Sequence, residues 1–137
     1  MARDSFRDKV VIVTGASDGI GRELAVQLAA EGACLALASR NADRLNAVAA
    51  ECVARGGRAV VIPTDVSDRE ACGRLVEKTV AAFGRIDMLI SNAGISMWAR
   101  FADVKDPEMI ERILRVNFLG AMYCTWHALP YLRQSRG

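Results

Sequence analysis

Short apolar runs of strand length alternate along this chain with stretches of helical periodicity, and this alternation restricts the fold more than any other feature. The runs are residues 9–13 (KVVIV), 34–38 (CLALA), 58–63 (RAVVIP) and 86–91 (IDMLIS). Continuous apolar runs of this length are typical of strands buried on both faces, as in a parallel sheet covered by its crossover helices. The sequence therefore predicts the order βαβαβαβα in an α/β domain.

Capping residues and glycines mark the ends of the helices between these runs. The predicted helices are residues 19–31, a segment capped by Asn41 that ends near Arg55, residues 68–83, and a segment from Asp106 and Pro107 to about Arg133. Ser67 and Glu70 have the S-x-x-E spacing of a capping box, so we expect Ser67 to cap the third helix. Right-handed crossovers leave few topologies, and they favour a Rossmann-type doubly wound parallel sheet with strand order 3-2-1-4.

Composition and charge exclude several other classes of protein. Hydrophobic residues make up 52% of the chain and charged residues 25%, which is sufficient apolar content for a buried core. The net charge is only +2 and no basic stripe is visible, so no nucleic-acid partner is expected. Residues 1–9 are charged and lack the apolar core of a secretory signal, and no apolar run reaches the roughly 18 residues of a membrane span. We therefore expect a cytoplasmic protein with no membrane partner.

Residues that commonly bind metals are sparse. His127 is the only histidine, and the cysteines, at positions 34, 52, 72 and 124, form no C-x-x-C pair. A metal site is therefore not expected. We interpret the cysteines as small apolar residues in a reducing cytosol.

A glycine-rich segment, residues 14–21 (TGASDGIG), joins the first predicted strand to the first predicted helix. Its glycines would let the backbone reverse tightly, approach a pyrophosphate and pack the helix against the strand. The amino terminus of the helix would offer free N–H groups and a positive dipole end to the phosphates. The spacing is G-x-x-x-G-x-G rather than G-x-G-x-x-G. A turn that serves only the geometry of the chain is therefore the alternative.

The segment TGASDGIG after a strand resembles the glycine motif of the short-chain dehydrogenase/reductase family, in its classical type. Three further motifs follow in the family's order. Asp65 and Val66 come after the third strand, the sequence SNAG at residues 91–94 resembles the family's N-N-A-G motif, and Val116 and Asn117 lie inside the long helix. The resemblance covers essentially the whole chain but only about the first half of a family member. It implies that residues 1–137 are the amino-terminal portion of an NADP(H)-binding Rossmann domain.

The resemblance implies a role for each matching residue. The residues expected to hold the pyrophosphate and the nearby ribose are Gly15, Ser17, Gly19, Ile20 and Gly21. Asp65 would accept a hydrogen bond from the adenine amino group, and Val66 would line that ring. The residues expected beneath the ribose on the nicotinamide side are Asn92, Ala93 and Gly94. Asn117, the catalytic residue in this part of the chain, would hold a water molecule on a proton path.

Three of these residues also have simpler interpretations. Asp65 could begin the turn before Ser67, and Asn92 could tie the central strands together. Asn117 could face solvent. Because asparagine is disfavoured in a helix interior, the resemblance implies a helix irregularity with an exposed carbonyl at Asn117.

The end of the second strand favours NADP(H) over NAD(H). An acid there would bind the 2′-hydroxyl of the ribose and repel a 2′-phosphate, whereas an arginine would pair with the phosphate. Ser39 occupies the position where NAD-preferring family members carry Asp, and Arg40 follows directly. A solvated loop arginine is the alternative. Asp18 stands where the glycine loop of the family often has a second basic residue, which weakens the prediction.

The family performs its chemistry with a Tyr-x-x-x-Lys pair and an upstream Ser, and residues 1–137 contain no such pair. Tyr123 is followed four positions later by His127, and Tyr131 by Ser135. We therefore expect the activity, hydride transfer between NADP(H) and an alcohol or ketone, to belong to a longer parent protein and the chain alone to be inactive. We also expect the fourth strand to be an uncovered edge prone to aggregation.

Other functions remain open at this point. A non-catalytic dinucleotide-binding module is one alternative, and an unrelated flavodoxin-like α/β domain is another. Family members commonly form dimers or tetramers through the long helix, so the resemblance implies a homo-oligomer. The large residues of this helix, which would form a core stripe or part of that interface, are Met122, Tyr123, Trp126, Leu129 and Tyr131.

Overall fold

The computed structural model describes residues 5–137; residues 1–4, part of the charged amino-terminal segment, lie outside them. The strands of the described residues are β1 (Val10–Thr14), β2 (Cys34–Ser39), β3 (Arg58–Pro63) and β4 (Met88–Ile90). They form a four-stranded parallel sheet in the order β3-β2-β1-β4, which confirms the predicted topology. A flavodoxin-like sheet would place the third strand beside the first. Here β3 pairs with β2, so that alternative is wrong.

Helices follow the strands in the predicted order. They are α1 (Gly19–Ala30), α2 (Ala42–Ala54), α3 (Arg69–Phe83), α4 (Glu108–Leu114) and α5 (Gly120–Ser135), with a 3-10 turn at Phe101–Asp103. A π-helical turn, Arg115–Leu119, joins α4 to α5. The predicted long helix is therefore interrupted at the position where the family resemblance implied an irregularity. No helix among residues 5–137 is both long and apolar enough to cross a membrane.

The central strand β1 is buried on both faces, and every one of its residues is at most 2% exposed. Val11 and Val13 pack in an apolar cluster with α1 and α2 on one face of the sheet. Ile12 packs on the other face, in a second cluster with α3 and α5. Burial on both faces explains why the strand sequences are continuously apolar rather than alternating.

The cap of α3 differs from the prediction. Asp68, rather than Ser67, precedes the helix, and its carboxylate accepts the N–H of Glu70 at 2.9 Å. Ser67 instead donates its hydroxyl to Asp65 Oδ1 at 2.7 Å. A carboxylate at this position also interacts favourably with the positive end of the helix dipole. A neutral serine hydroxyl interacts with it much more weakly. The expected cap of α2 is confirmed, since Asn41 Oδ1 accepts the N–H of Arg44 at 3.0 Å.

Strand β4 is shorter than predicted, and next to its amino end Asp87 pairs with β1 through both its backbone and its side chain: the N–H of Asp87 donates to the carbonyl oxygen of Val10 at 2.9 Å. Asp87, which is 7% exposed, accepts the N–H of Val10 through Oδ2 at 2.9 Å. Its carboxylate also accepts from Arg85 Nε at 2.9 Å, and Lys9 Nζ lies 3.8 Å away. Burial raises the pKa of Asp87. The hydrogen bonds from Arg85 and from the N–H of Val10 lower it, as do the charges of Arg85 and Lys9, and together these effects outweigh burial. The net effect is a lowered pKa.

We predict that Asp87→Asn lowers the free energy of unfolding at neutral pH by about 1–3 kcal/mol, because a buried carboxylate that accepts several hydrogen bonds is lost. The folded-state pKa of Asp87 lies below its unfolded value, so the unfolded chain binds the proton more readily. The contribution of Asp87 to the free energy of unfolding is therefore complete above the ordinary carboxyl pKa of about 3.9. It is lost as the pH falls through the lowered pKa of the folded state. Urea unfolding at a series of acidic pH values should show a shallower acid dependence for the variant.

Asp103→Asn is the matched control for Asp87→Asn. Asp103 also accepts hydrogen bonds from an arginine, Arg100, but its side chain is 52% exposed. Its removal should change the free energy of unfolding by less than about 0.5 kcal/mol. Equal destabilisation by the two variants would contradict the structural role of Asp87.

Candidate functional site

The loops that follow the four strands meet at the carboxyl edge of the sheet and surround a cleft of about 440 Å³. Parallel sheets bind ligands at this edge, and the volume is that of an ordinary ligand pocket. The sequence-predicted residues that line the cleft are Gly15, Ser17, Arg40, Asp65, Val66, Ala93 and Gly94. Those that are not among its lining residues are Gly19, Ile20, Gly21, Asn92 and Asn117. The structure thus brings together seven residues from loops after every strand.

The glycine loop is shaped by close packing against Asn92. Gly15 has a φ of +65°, and a Cβ on it would lie 2.9 Å from the Cα of Ala93 and from Asn92 Nδ2. A Cβ on Gly21 would overlap the carbonyl oxygen of Gly15. Gly19, with a φ of +54°, has nothing within 4 Å of the corresponding position. The side of the loop that faces Asn92 is therefore tightly packed at Gly15 and Gly21, whereas the space next to Gly19 is open.

Ile20, which was expected to contact the pyrophosphate, lies in the first turn of α1 with its side chain 79% exposed. Its apolar character contributed to the helical periodicity in the sequence, but the side chain does not pack in the core. Any contribution of Ile20 to an anion site therefore comes from its backbone N–H rather than from its side chain.

A network between Thr14 and Asn92 joins the carboxyl ends of β1 and β4. Asn92 Nδ2 donates to the carbonyl oxygens of Thr14 and Gly15 at 3.1 and 3.2 Å. The hydroxyl of Thr14 accepts the N–H groups of Asn92 and Ala93 at 3.1 and 3.0 Å. The interpretation of Asn92 as a tie between the central strands is therefore confirmed. Sequence reasoning missed Thr14, whose only signal was a hydroxyl at the end of an otherwise apolar run.

The loop after β3 holds Asp65 in a local turn. Asp65 Oδ1 accepts the N–H of Ser67 at 3.0 Å and its hydroxyl at 2.7 Å, as the simpler interpretation of this residue predicted. The hydroxyl of Ser67 lowers the pKa of Asp65 against the effect of burial, and the charges of Arg40 and Arg112 add to the lowering. Asp65 is therefore held as an anionic acceptor. Among the described residues its Oδ2 has no hydrogen-bond donor, so this oxygen remains available to a ligand.

Val66 is 7% exposed and lies under the long helix. Its Cγ2 would lie only 2.8 Å from a Cβ on Gly120, so α5 approaches this part of the cleft because Gly120 has no side chain. Gly120 is a second positioning residue that the sequence analysis missed.

Asn117 lies in the π-helical turn and pairs with the backbone of Ile95. Asn117 Oδ1 accepts the N–H of Ile95, and Asn117 Nδ2 donates to its carbonyl oxygen, both at 2.8 Å. Asn117 is exposed, as the solvent-facing interpretation expected, but its side chain also fastens the loop after β4 to the helix. A π-helical turn also disturbs the regular i to i−4 pattern of backbone hydrogen bonds, as expected for a carbonyl that is exposed at a functional site. The proposed water-holding role of Asn117 stays a prediction.

Five charged side chains line the cleft. They are Asp18, Arg40, Arg44, Asp65 and Arg112, which gives three positive and two negative charges and a net charge of +1. Arg44 Nη1 lies 3.0 Å from Asp18 Oδ2. Arg40 has no hydrogen-bond or ion-pair partner among residues 5–137. Sequence reasoning missed Arg44 and Arg112, because each reaches the cleft from a helix rather than from a strand end.

Comparison with known proteins places this arrangement in a family. The sequence model of the family described as short chain dehydrogenase matches residues 9–137. The chain is 45% identical over 135 residues to 11-beta-hydroxysteroid dehydrogenase 1A of Arabidopsis thaliana, covering 98% of this chain and 39% of that protein. The same identity and coverage relate it to 11-beta-hydroxysteroid dehydrogenase A of Arachis hypogaea. The chain thus spans well under half the length of these relatives.

Solved structures give the same result. An alcohol dehydrogenase from the archaeon Thermococcus sibiricus, complexed with 5-hydroxy-NADP, superposes with a TM-score of 0.90 at 33% identity, over 94% of this chain and 55% of that one. The NADH-dependent reductase A1-R′ complexed with NAD superposes with a TM-score of 0.88 at 29% identity, over 97% of this chain and 56% of that one. With the family match over residues 9–137, these similarities show that the chain belongs to the short-chain dehydrogenase family of oxidoreductases.

Proposed function

We propose that this chain binds NADP(H) in the cleft and supplies the dinucleotide-binding part of an oxidoreductase that acts on an alcohol or carbonyl substrate. The observation that carries the choice of cofactor is the guanidinium of Arg40 at the end of β2, which lines the cleft and has no ion-pair partner among residues 5–137. No acid precedes it, because Ser39 occupies that position and its hydroxyl accepts the N–H of Asn41 at 3.2 Å. A 2′-phosphate would meet a cation there rather than a carboxylate.

The amino terminus of α1 fits the pyrophosphate of such a cofactor. Asn41 and Asp68 cap α2 and α3 with side-chain hydrogen bonds, but Asp18 makes no such bond to α1. The first N–H groups of α1 therefore keep their capacity to bind an anion. The open space in front of Gly19 gives a phosphate access to them.

The remaining residues would hold the rest of the cofactor. Asp65 would accept the adenine amino group through Oδ2 while Val66 lines the ring, and Ala93 and Gly94 would lie beneath the nicotinamide ribose. Asn117 would position a water molecule through the backbone of the π-helical turn. The nicotinamide supplies the hydride chemistry when bound. Proton transfer to the substrate oxygen is proposed for a Tyr-x-x-x-Lys pair outside residues 1–137.

The names of the relatives support an alcohol or carbonyl substrate, since they include hydroxysteroid dehydrogenases and an alcohol dehydrogenase. The second candidate is a dinucleotide-binding module without catalysis. Residues 1–137 hold the cleft but no Tyr-x-x-x-Lys pair. Turnover by a protein that contains this chain together with such a pair separates the two candidates.

We also propose that a second copy of the protein covers the outer face of the long helix. Tyr123 and Tyr131 pack against the second core cluster, so the expected stripe is divided between two faces. The apolar residues of the outer face, each between 41% and 67% exposed, are Leu114, Phe118, Met122, Trp126 and Leu129. Exposed large apolar residues that recur along one helix commonly mark an interface between proteins.

We predict that Arg40→Ala weakens NADPH binding by about 10–100-fold, the loss expected for a charge-assisted hydrogen bond. NADH lacks the 2′-phosphate, so its affinity should change by less than about twofold. Isothermal titration of the purified chain with each cofactor measures both. Arg100→Ala is the matched control, because Arg100 is an exposed arginine paired with Asp103 outside the cleft. Equal losses for the two cofactors, or binding of neither cofactor by the wild type, would contradict the proposal.

For the second-copy proposal, Trp126→Asp should reduce self-association by at least about tenfold, because it replaces a large exposed aromatic residue of the apolar face by a charge. Sedimentation velocity over a range of protein concentrations measures this association. Gln27→Asp, on the exposed side of α1, should leave association unchanged. A wild-type chain that stays monomeric throughout the concentration range would count against the proposal.

A further inference from the structure

The ion pair between Asp18 and Arg44 joins two elements of the cleft that are far apart in sequence. Asp18 ends the glycine loop and Arg44 lies in the first turn of α2, and both line the cleft together with Arg40. Their oxygen and nitrogen atoms, Oδ2 and Nη1, are 3.0 Å apart. The backbone N–H of Arg44 is also fixed, because Asn41 Oδ1 accepts it at 3.0 Å. Arg44 is thus held where its guanidinium reaches the glycine loop.

This ion pair contributes little to the stability of the fold. The side chains of Asp18 and Arg44 are 69% and 63% exposed, and ion pairs in such an environment are largely offset by hydration and side-chain entropy. Asp18 does not cap α1 either, although it occupies the capping position. The pair acts mainly on the electrostatic potential of the cleft, which governs the binding of a charged ligand.

The charge of Asp18 opposes the binding of a phosphate unless it is compensated. With Arg44 present, the five charged residues of the lining give a net charge of +1. Without Arg44 the lining would hold two cations and two carboxylates, and the carboxylate of Asp18 would face the cleft uncompensated. Arg40 would then bind a phosphate in a cleft whose lining carries no net positive charge.

We propose that Arg44 is a specificity-determining positioning residue, which acts by neutralising Asp18 and so makes the cleft accept the 2′-phosphate that Arg40 binds. This inference rests on the proposed binding of NADP(H). Arg44 acts through Asp18, so its contribution depends on the carboxylate of Asp18. NADH carries the pyrophosphate but no 2′-phosphate, so the loss of Arg44 should weaken its binding less than that of NADPH.

A double-mutant cycle tests the dependence of Arg44 on Asp18. The chains to be titrated with NADPH and NADH are the wild type, Arg44→Ala, Asp18→Asn, the double variant and Arg44→Lys. Arg44→Ala should weaken NADPH binding by about 3–10-fold at low salt, and less at high salt because the charges are exposed. In the Asp18→Asn background, Arg44→Ala should weaken NADPH binding by less than about twofold. Arg44→Lys, which keeps the charge, should restore most of the affinity.

Each result supports or overturns a defined statement. If Arg44→Ala lowers the affinity for NADPH equally in the wild-type and Asp18→Asn backgrounds, Arg44 contacts the phosphate directly. If Arg44→Ala lowers the affinity for NADH as much as that for NADPH, the effect on the cleft is general. Either result overturns the inference. If Arg40→Ala is selective for NADPH but Arg44→Ala has no effect, only this inference fails. If Arg40→Ala is not selective, or the wild type binds neither cofactor, the proposed function fails as well. Thermal melting verifies the fold of each variant, and Arg44→Gln replaces Arg44→Ala if the latter melts early.

Discussion

The hydrogen bonds between Thr14 and Asn92 fix the part of the molecule on which the cleft depends. They hold the carboxyl ends of β1 and β4 at a set distance and place the amide of Asn92 directly beneath the glycine loop. Gly15 and Gly21 have no side chains where that amide lies, so the loop can close over it. The surface offered to a dinucleotide is therefore shaped from inside the sheet, by an uncharged threonine and an uncharged asparagine.

Strand β4 shows how a very short edge strand is kept in register. Its ladder with β1 extends only from Met88 to Ile90. Asp87 extends the pairing at the amino end through its backbone N–H and its carboxylate, and Asn92 does so at the carboxyl end through its amide. Buried backbone groups must be paired, and here side chains complete what the ladder does not reach. The three-residue strand therefore carries the site because both of its ends are fastened to β1.

The alternation of apolar runs and helical segments was sufficient to predict the strand order, because burial on both faces leaves a strong and local signal. The boundaries of the glycine loop, and the positions of Arg40 and Asp65 after their strands, followed from the same pattern. The cap of α3 could not be predicted, because Ser67 and Asp68 are both suitable caps and the choice depends on Asp65 recruiting Ser67. Contacts between distant elements, such as Arg44 with Asp18 or Asn117 with Ile95, leave no periodic trace in a single sequence.

The π-helical turn has a consequence for the outer surface of the long helix. Residues four apart on an ideal α-helix drift sideways by about 40° at each step, because 3.6 residues complete a turn. Leu114, Phe118, Met122 and Trp126 repeat every four residues, so they would wind around an unbroken helix. The wider turn at residues 115–119 rotates the chain less per residue and offsets part of this drift. The same irregularity that aims Asn117 at the loop after β4 thus sets the rotational phase of the apolar face, so the cleft and the outer surface cannot be realigned independently.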